Sequence, residues 1–108
     1  MVIYVPVPPG HSAYSSMQQL RAQAAAREWT VFASITDQAA LDDPLTECPG
    51  WRSVRRLVSS GTAGGIIVPR GSGVGRRIPG LHDWLRQRKA SLAHLPVTQA
   101  RPSRKSAL

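Results

Sequence analysis

The sequence predicts a small α/β domain of three layers, in which helices cover both faces of a parallel sheet of three to four strands. Short apolar runs rich in β-branched residues alternate along the chain with longer segments of helical pattern. This alternation is the order that places a parallel sheet between helices. The chain has 108 residues, of which 42% are hydrophobic and 19% are charged, so we expect one globular domain with one modest core.

The N-terminal half predicts two strands, one helix and a long loop. Val2–Val7 is a short β-branched run typical of a buried strand. Residues 16–29 are good helix formers, and their apolar side chains recur on one helical face. Residues 30–35 predict the second strand, and residues 36–49 predict a polar loop that carries four acidic side chains.

The C-terminal half continues the alternation. A helix is predicted to begin at residue 49 or 50 and to end near residue 59, because Pro49 suits the first helical position. Residues 66–68 predict the third strand, and residues 69–79 predict a loop rich in glycine and arginine. The apolar spacing after residue 80 predicts a further helix that ends near residue 88.

The end of the chain predicts an edge strand and a tail. Residues 91–97 are a candidate fourth strand, and Pro96 would place it at the edge of the sheet, because proline cannot donate to a ladder. Residues 99–108 are basic and have no apolar pattern, so we expect a disordered basic tail after a domain that spans residues 1–98.

The cysteine and hydropathy patterns favour a cytoplasmic protein. The single cysteine, Cys48, cannot form an internal disulfide, which suits a reducing compartment. No apolar run approaches the roughly 20 residues that cross a bilayer, so we expect no membrane contact. One cysteine and three scattered histidines give no metal-ligand spacing, and we expect neither a metal nor a cofactor.

The positive charge is concentrated in the second half of the chain. The net charge is +8; residues 1–50 carry two basic and five acidic side chains (net −3), and residues 51–108 carry twelve basic and one acidic (net +11). Such asymmetry favours a polyanionic partner, DNA or RNA first, although a merely solvated basic surface is the alternative. The candidate DNA-binding side chains are arginines of the second helix and of the following loop: Arg52, Arg55, Arg56, Arg70, Arg76 and Arg77.

The glycine-rich loop at residues 70–77 leaves three interpretations open. It lies after a strand, where ligands of parallel sheets bind, and its amides and arginines could hold a DNA phosphate. It could hold a nucleotide, but its glycine spacing matches neither the dinucleotide fingerprint nor the P-loop. It could also be a solvated surface loop. The three tryptophans, Trp29, Trp51 and Trp84, are expected to anchor the core; stacking on single-stranded bases would require them exposed beside the arginines.

Five segments carry a resemblance to a known family through their order and spacing. They are residues 4–8 (Tyr-Val-Pro-Val-Pro), residues 19–22 (Gln-Leu-Arg-Ala), Asp37, residues 48–51 (Cys-Pro-Gly-Trp) and residues 70–76 (Arg-Gly-Ser-Gly-Val-Gly-Arg). They resemble the N-terminal catalytic domain of the resolvase/invertase serine recombinases. The matching family patterns are Tyr-x-Arg-Val-Ser, Gln-x-Arg-Ala, an Asp, Arg-Pro-Gly-Trp/Leu and Arg-Leu-Asp-Arg-Leu-Gly-Arg. The resemblance covers nearly everything except the tail and implies a resolvase-like fold.

The resemblance also implies an activity that this chain lacks the residues to perform. The family cleaves and rejoins DNA through a serine that attacks a phosphodiester, with arginines around the phosphate. Here Pro8 occupies the nucleophile position and Pro6 that of the first-strand arginine. The polar remnants of the family constellation are Gln19 and Arg76. We therefore expect a pseudoenzyme without catalytic residues.

Three functions follow from these observations. The leading one is sequence-independent binding of the DNA backbone by a degenerate, resolvase-like domain. The second is a protein-interaction module that pairs with itself or with an intact recombinase. The third is a strand-exchange enzyme that uses a displaced serine, for which the candidates are Ser12, Ser15 and Ser16.

Overall fold

The computed structural model describes residues 1–98, which form a four-stranded parallel sheet between helices. The strand order is β2-β1-β3-β4. The elements are, in chain order, β1 Val2–Val7, α1 Tyr14–Ala26, β2 Ala33–Gln38, α2 Pro49–Ser59, β3 Gly65–Pro69, α3 Val74–Arg77, α4 Leu81–Gln87 and β4 Ser91–Leu95. The predicted fold class is confirmed, and the fourth strand forms at the sheet edge. The predicted tail, residues 99–108, lies outside the described residues.

Alternate side chains of the central strands build two separate cores. Val2 and Tyr4 of β1 face the side covered by α2, α3 and α4, where Trp51 and Leu85 pack against them. Ile3 and its neighbours on the same face pack against α1 through Leu20 and Ala24. Because both faces of β1 and β3 are covered, these strands are continuous apolar runs rather than alternating ones.

The second strand lies three residues further along the chain than predicted. Thr30, Val31 and Phe32 connect α1 to the sheet, and the Phe32 amide donates to the Met1 carbonyl at 2.8 Å. Glu28 adopts a left-handed φ of 60° just after α1, which ends the helix before Trp29. The strand itself runs from Ala33 to Gln38 and pairs Asp37 with Pro6. Asp37 is therefore a strand residue, not the loop residue that the sequence predicted.

The glycine- and arginine-rich segment is better ordered than a simple loop. It contains the short helix α3, which the sequence did not predict. Val74 and Ile78 are 0% and 4% exposed and join the core on the α2 side. These two apolar residues anchor the segment, so its glycines serve turns within a fixed structure.

Candidate nucleic-acid interface

A cleft of about 390 Å³ opens at the carboxyl ends of β1 and β3. All four strands are parallel, so the loops after them meet at this one edge of the sheet. The walls include Pro8 directly after β1, Ser12 before α1, Ser16 in its first turn, and Arg70 and Arg76 from the segment after β3. We call it the carboxyl-edge cleft.

A tight turn separates the end of β1 from the serines. The His11 amide donates to the Pro8 carbonyl at 3.0 Å, and Gly10 has a φ of 85°. In the turn formed by residues 8–11, Pro9 is the second residue and the left-handed Gly10 the third, which is the pattern of a type II turn. Beyond it, the Ser12 hydroxyl accepts the Tyr14 amide at 3.1 Å. The position directly after β1 therefore has no hydroxyl; the serines that line the cleft are Ser12 beyond this turn, Ser16 of α1 and Ser72 of the segment after β3.

Arg70 and Arg76 supply the exposed positive charge of the cleft. Both are exposed, and the Arg70 amide donates to the Leu95 carbonyl at 2.8 Å, which fixes its backbone. The Arg76 guanidinium lies 3.6 Å from a carboxylate oxygen of Asp42. The side chains of Arg76 and Asp42 are largely exposed, and solvent weakens an exposed ion pair. Both guanidinium groups are therefore available to an anion.

Arg77 has a different role from the one predicted with its neighbours. Its side chain is only 7% exposed. The guanidinium donates to three backbone carbonyls, those of Asp43 at 2.9 Å, Ser72 at 3.2 Å and Ala40 at 2.7 Å. These bonds tie the loop after β2 to the segment before α3. Arg77 shapes the wall of the cleft and does not present its charge to a ligand.

Gln19, which the resemblance predicts to be a polar remnant of the family constellation, is also engaged in the fold. Its side-chain amide donates to the Thr98 carbonyl at 2.9 Å, and its side-chain carbonyl accepts the Thr98 amide at 2.7 Å. One helical turn later, Gln23 donates to the Pro96 carbonyl at 2.6 Å. The two glutamines hold the chain after β4 against α1, so Gln19 does not offer a free amide to the cleft.

Asp37 caps α2 from the neighbouring strand. Its carboxylate is buried and accepts the amides of Gly50 and Trp51, at 2.8 and 2.7 Å, and the Tyr4 hydroxyl at 2.6 Å. Burial, and then the bond and charge of Asp37, raise the pKa of Tyr4 above its ordinary value. A carboxylate at a helix N-terminus accepts hydrogen bonds from the free amides and interacts favourably with the positive end of the helix dipole. Asp37 therefore fixes the direction of α2.

The arginines of α2 lie on its solvent side. Arg52, Arg55 and Arg56 are exposed, whereas Trp51 and Val54 are buried. Arg52 donates to Glu47. Among residues 1–98 the structure records no ion pair for Arg55, Arg56 or Arg70.

Four depressions contain the two groups of arginines, and each shares lining residues with the next; Asp42 and Glu47 also line them. The carboxyl-edge cleft shares Arg76 and Asp42 with a second depression, which also contains Pro79. Pro79 also lines a third depression, together with Trp51 and Trp84. Arg55 lines both this third depression and a fourth, which Arg52 and Arg56 line as well. We call this path, from Arg70 past Arg76 to the arginines of α2, the basic trough.

Within residues 1–98, no group of three or more His, Cys, Asp or Glu side chains is placed to hold a metal ion. No helix in that part of the chain combines the length and the apolarity that crossing a membrane requires.

Comparison with known proteins shows similarity in structure. No protein-family model and no curated protein sequence matches the chain. Among solved structures, it is similar to the C-terminal catalytic domain of ISC1926 TnpA, an IS607-like serine recombinase, with a TM-score of 0.72 over 91% of this chain and 71% of that one, at 16% identity. The fold is that of a serine-recombinase catalytic domain. The product of the first open reading frame in transposon ISC1904 from Sulfolobus solfataricus P2 is also similar, with a TM-score of 0.66 over 94% and 70% of the two chains, at 15% identity. The predicted resolvase-like fold is thus confirmed.

Proposed function

We propose that this chain binds the backbone of DNA without reading its sequence and without cleaving it. The observation that carries the proposal is the basic trough, which links the carboxyl-edge cleft to the arginines of α2. The residues proposed to contact phosphates are the exposed arginines of this path: Arg52, Arg55, Arg56, Arg70 and Arg76. Arginine contacts to phosphates position a protein on DNA but carry no sequence information.

The absence of cleavage is proposed from the residues at the cleft. Serine-recombinase chemistry needs a hydroxyl held in line with the phosphate, and a displacement of ~1 Å can cost ~100-fold in rate. Pro8 directly follows β1 at the cleft and offers no hydroxyl. Gln19 is bound to Thr98, and Arg77 to backbone carbonyls. This distribution supports a pseudo-recombinase, in which the remaining arginines bind a phosphate but no group attacks it.

The proposal is tested by the salt dependence of binding to a short DNA duplex of random sequence, measured by fluorescence anisotropy. Each neutralised phosphate contributes about −0.9 to the slope of log affinity against log salt. Five arginine contacts predict a slope near −4.5, which is a loss of roughly 500-fold between about 50 and 200 mM salt. Absence of binding at the lower salt contradicts the proposal. Self-association that persists at high salt, without DNA binding, favours the protein-interaction module instead.

Cleavage by a displaced serine is a second candidate, because Ser12 and Ser16 line the same cleft as Arg70 and Arg76. A serine that attacks a phosphodiester forms a phosphoserine bond to one DNA end and releases the other end as a hydroxyl. A denaturing gel of protein incubated with labelled duplex distinguishes the two functions. The pseudo-recombinase predicts no covalent adduct. An adduct that disappears in Ser12→Ala or Ser16→Ala establishes the enzyme.

A further inference from the structure

The third depression of the basic trough differs in character from its neighbours. It is a groove of about 160 Å³, and its walls are mostly apolar, with Trp51, Trp84, Leu81 and Pro79 in the lining. Arg55 is the one charged side chain in the lining, and no acidic side chain contributes. We call it the aromatic groove. Its volume suits a single planar ring, and it is well below the ~300–1,000 Å³ typical of pockets for drug-sized ligands.

Trp84 is the side chain that such a ring would meet. It is half-buried, unlike Trp51, which is 3% exposed. The two indoles meet edge to face, with centroids 6.1 Å apart at 67°, so Trp51 holds Trp84 in place without stacking flat on it. The Arg88 guanidinium lies 5.4 Å from the centre of the Trp84 ring. The groove therefore combines a half-buried indole, which has the Arg88 guanidinium over its ring, with Arg55 in its lining.

The position of the groove identifies its occupant as part of a nucleic acid. Arg76 lines the depression that shares Pro79 with the groove, and Arg56 lines the depression that shares Arg55 with it. A strand whose phosphates follow these arginines passes a base over the aromatic groove. Bases of a duplex are stacked inside the helix and cannot enter, whereas an unpaired base can leave the strand and stack on an indole.

We infer that the trough prefers single-stranded nucleic acid, and that one unpaired base stacks on Trp84 in the aromatic groove while the neighbouring phosphates lie on Arg55 and Arg76. The inference rests on the proposed function, since it assumes that the trough binds phosphates. It adds the class of ligand, a single strand rather than a duplex.

The test compares three labelled ligands of about 12 nucleotides, a length within the range of one single-strand site. They are a thymidine strand, the same strand with abasic sites in place of its bases, and a duplex. The thymidine strand is expected to bind the full chain more tightly than the duplex. Loss of one stacked base should weaken binding roughly 5- to 100-fold, so the abasic strand should be weaker by that factor.

Two matched tryptophan variants locate the stacking. Trp84→Leu should weaken the thymidine strand by the same factor, and should leave the abasic strand unchanged. Trp29→Leu is the control, because Trp29 is also half-buried beneath an arginine but lies on the α1 side. It should change neither affinity. Quenching of tryptophan fluorescence by the thymidine strand should disappear in Trp84→Leu and persist in Trp29→Leu.

The ligand comparison does not depend on how well any variant folds. Equal binding of the thymidine and abasic strands by the unmodified protein overturns the inference but leaves the proposed function in place. Absence of binding to strand and duplex alike overturns both. If Trp84→Leu instead abolishes self-association in sedimentation and leaves strand binding intact, the groove receives a protein segment and the inference is wrong.

Discussion

Substitution of Gly50 by alanine should destabilise this protein, although alanine is the better helix former. Gly50 lies in the first turn of α2, where its amide donates to the Asp37 carboxylate at 2.8 Å. A Cβ atom on residue 50 would lie 2.7 Å from Cγ and from both carboxylate oxygens of Asp37. Asp37 is short and buried, so the strain can be relieved only by moving the carboxylate away from the amides that it caps.

The size of the effect follows from the bonds at risk. A hydrogen bond to a charged group contributes about 1.5–3 kcal/mol, and two are weakened, those from Gly50 and Trp51. The helix propensity of alanine returns at most about 1 kcal/mol. We expect a net loss of about 2–4 kcal/mol, a large fraction of a total stability of about 5–15 kcal/mol. Asp37→Ala, which leaves three donors unpaired, should cost about 4 kcal/mol.

The assay is a double-mutant cycle by urea unfolding. Asp37→Ala removes the three atoms that lie nearest to the Cβ of residue 50. Gly50→Ala should then be neutral or stabilising by up to about 1 kcal/mol. The sign of its effect therefore reverses between the two backgrounds. If Gly50→Ala destabilises both backgrounds equally, Asp37 does not cap α2 in the way described, and the reasoning is refuted.

Three further predictions concern the fold around the site. The pKa of Tyr4 is raised in the folded state, so above pH 10, the ordinary pKa of tyrosine, the unfolded state loses a proton that the folded state keeps. The free energy of unfolding should therefore fall by about 1.4 kcal/mol per pH unit above about pH 10. Urea unfolding at a series of pH values should show that Tyr4→Phe lacks this part of the decline. Gln19→Ala should expose the Thr98 amide to hydrogen exchange while the amides of β1 stay protected, because Gln19 holds Thr98 and β1 lies in the core; unchanged exchange at Thr98 would count against the clamp. Arg77→Ala should lower the free energy of unfolding by about 2–4 kcal/mol, measured by heat or urea, because three loop carbonyls lose their donor. Arg70→Ala is the control, and because Arg70 is exposed it should change that free energy by less than about 0.5 kcal/mol. Equal losses for the two variants would show that Arg77 is not a structural residue.

The order of the elements could be predicted because local patterns determine it. β1 and α2 lie where the β-branched run and Pro49 predict them. The second strand was misplaced because Val31 and Phe32 are apolar for a different reason. Val31 packs against the α1-side core from outside the strand, and the Phe32 side chain is largely exposed. The polar residues that follow belong to an edge strand, where one side of the ladder is open and the alternation is weak.

The arrangement of the site depends on long-range contacts that the sequence does not display. Arg76 and Arg77 are identical neighbours in the chain, yet one is exposed and the other donates to carbonyls more than thirty residues away. The roles of Gln19 and Asp37 depend in the same way on distant partners, Thr98 and Gly50. A signal for Asp37 did exist, since a glycine in the first turn of a helix leaves room for a capping group from elsewhere. The trough could not be predicted, because it joins arginines from separate elements.

The most direct test of the central claim compares two double variants of equal net charge in the duplex-binding assay. Arg70→Ala/Arg76→Ala removes the cations of the carboxyl-edge cleft, and Arg21→Ala/Arg27→Ala removes two exposed cations from α1 and its C-terminal end, outside the basic trough. If Arg70 and Arg76 contact phosphates, their loss should reduce the salt slope by about 1.8, whereas the control should retain the slope of the unmodified protein. Equal slopes for the two double variants would mean that net charge alone attracts the DNA, and the trough would not be its binding site.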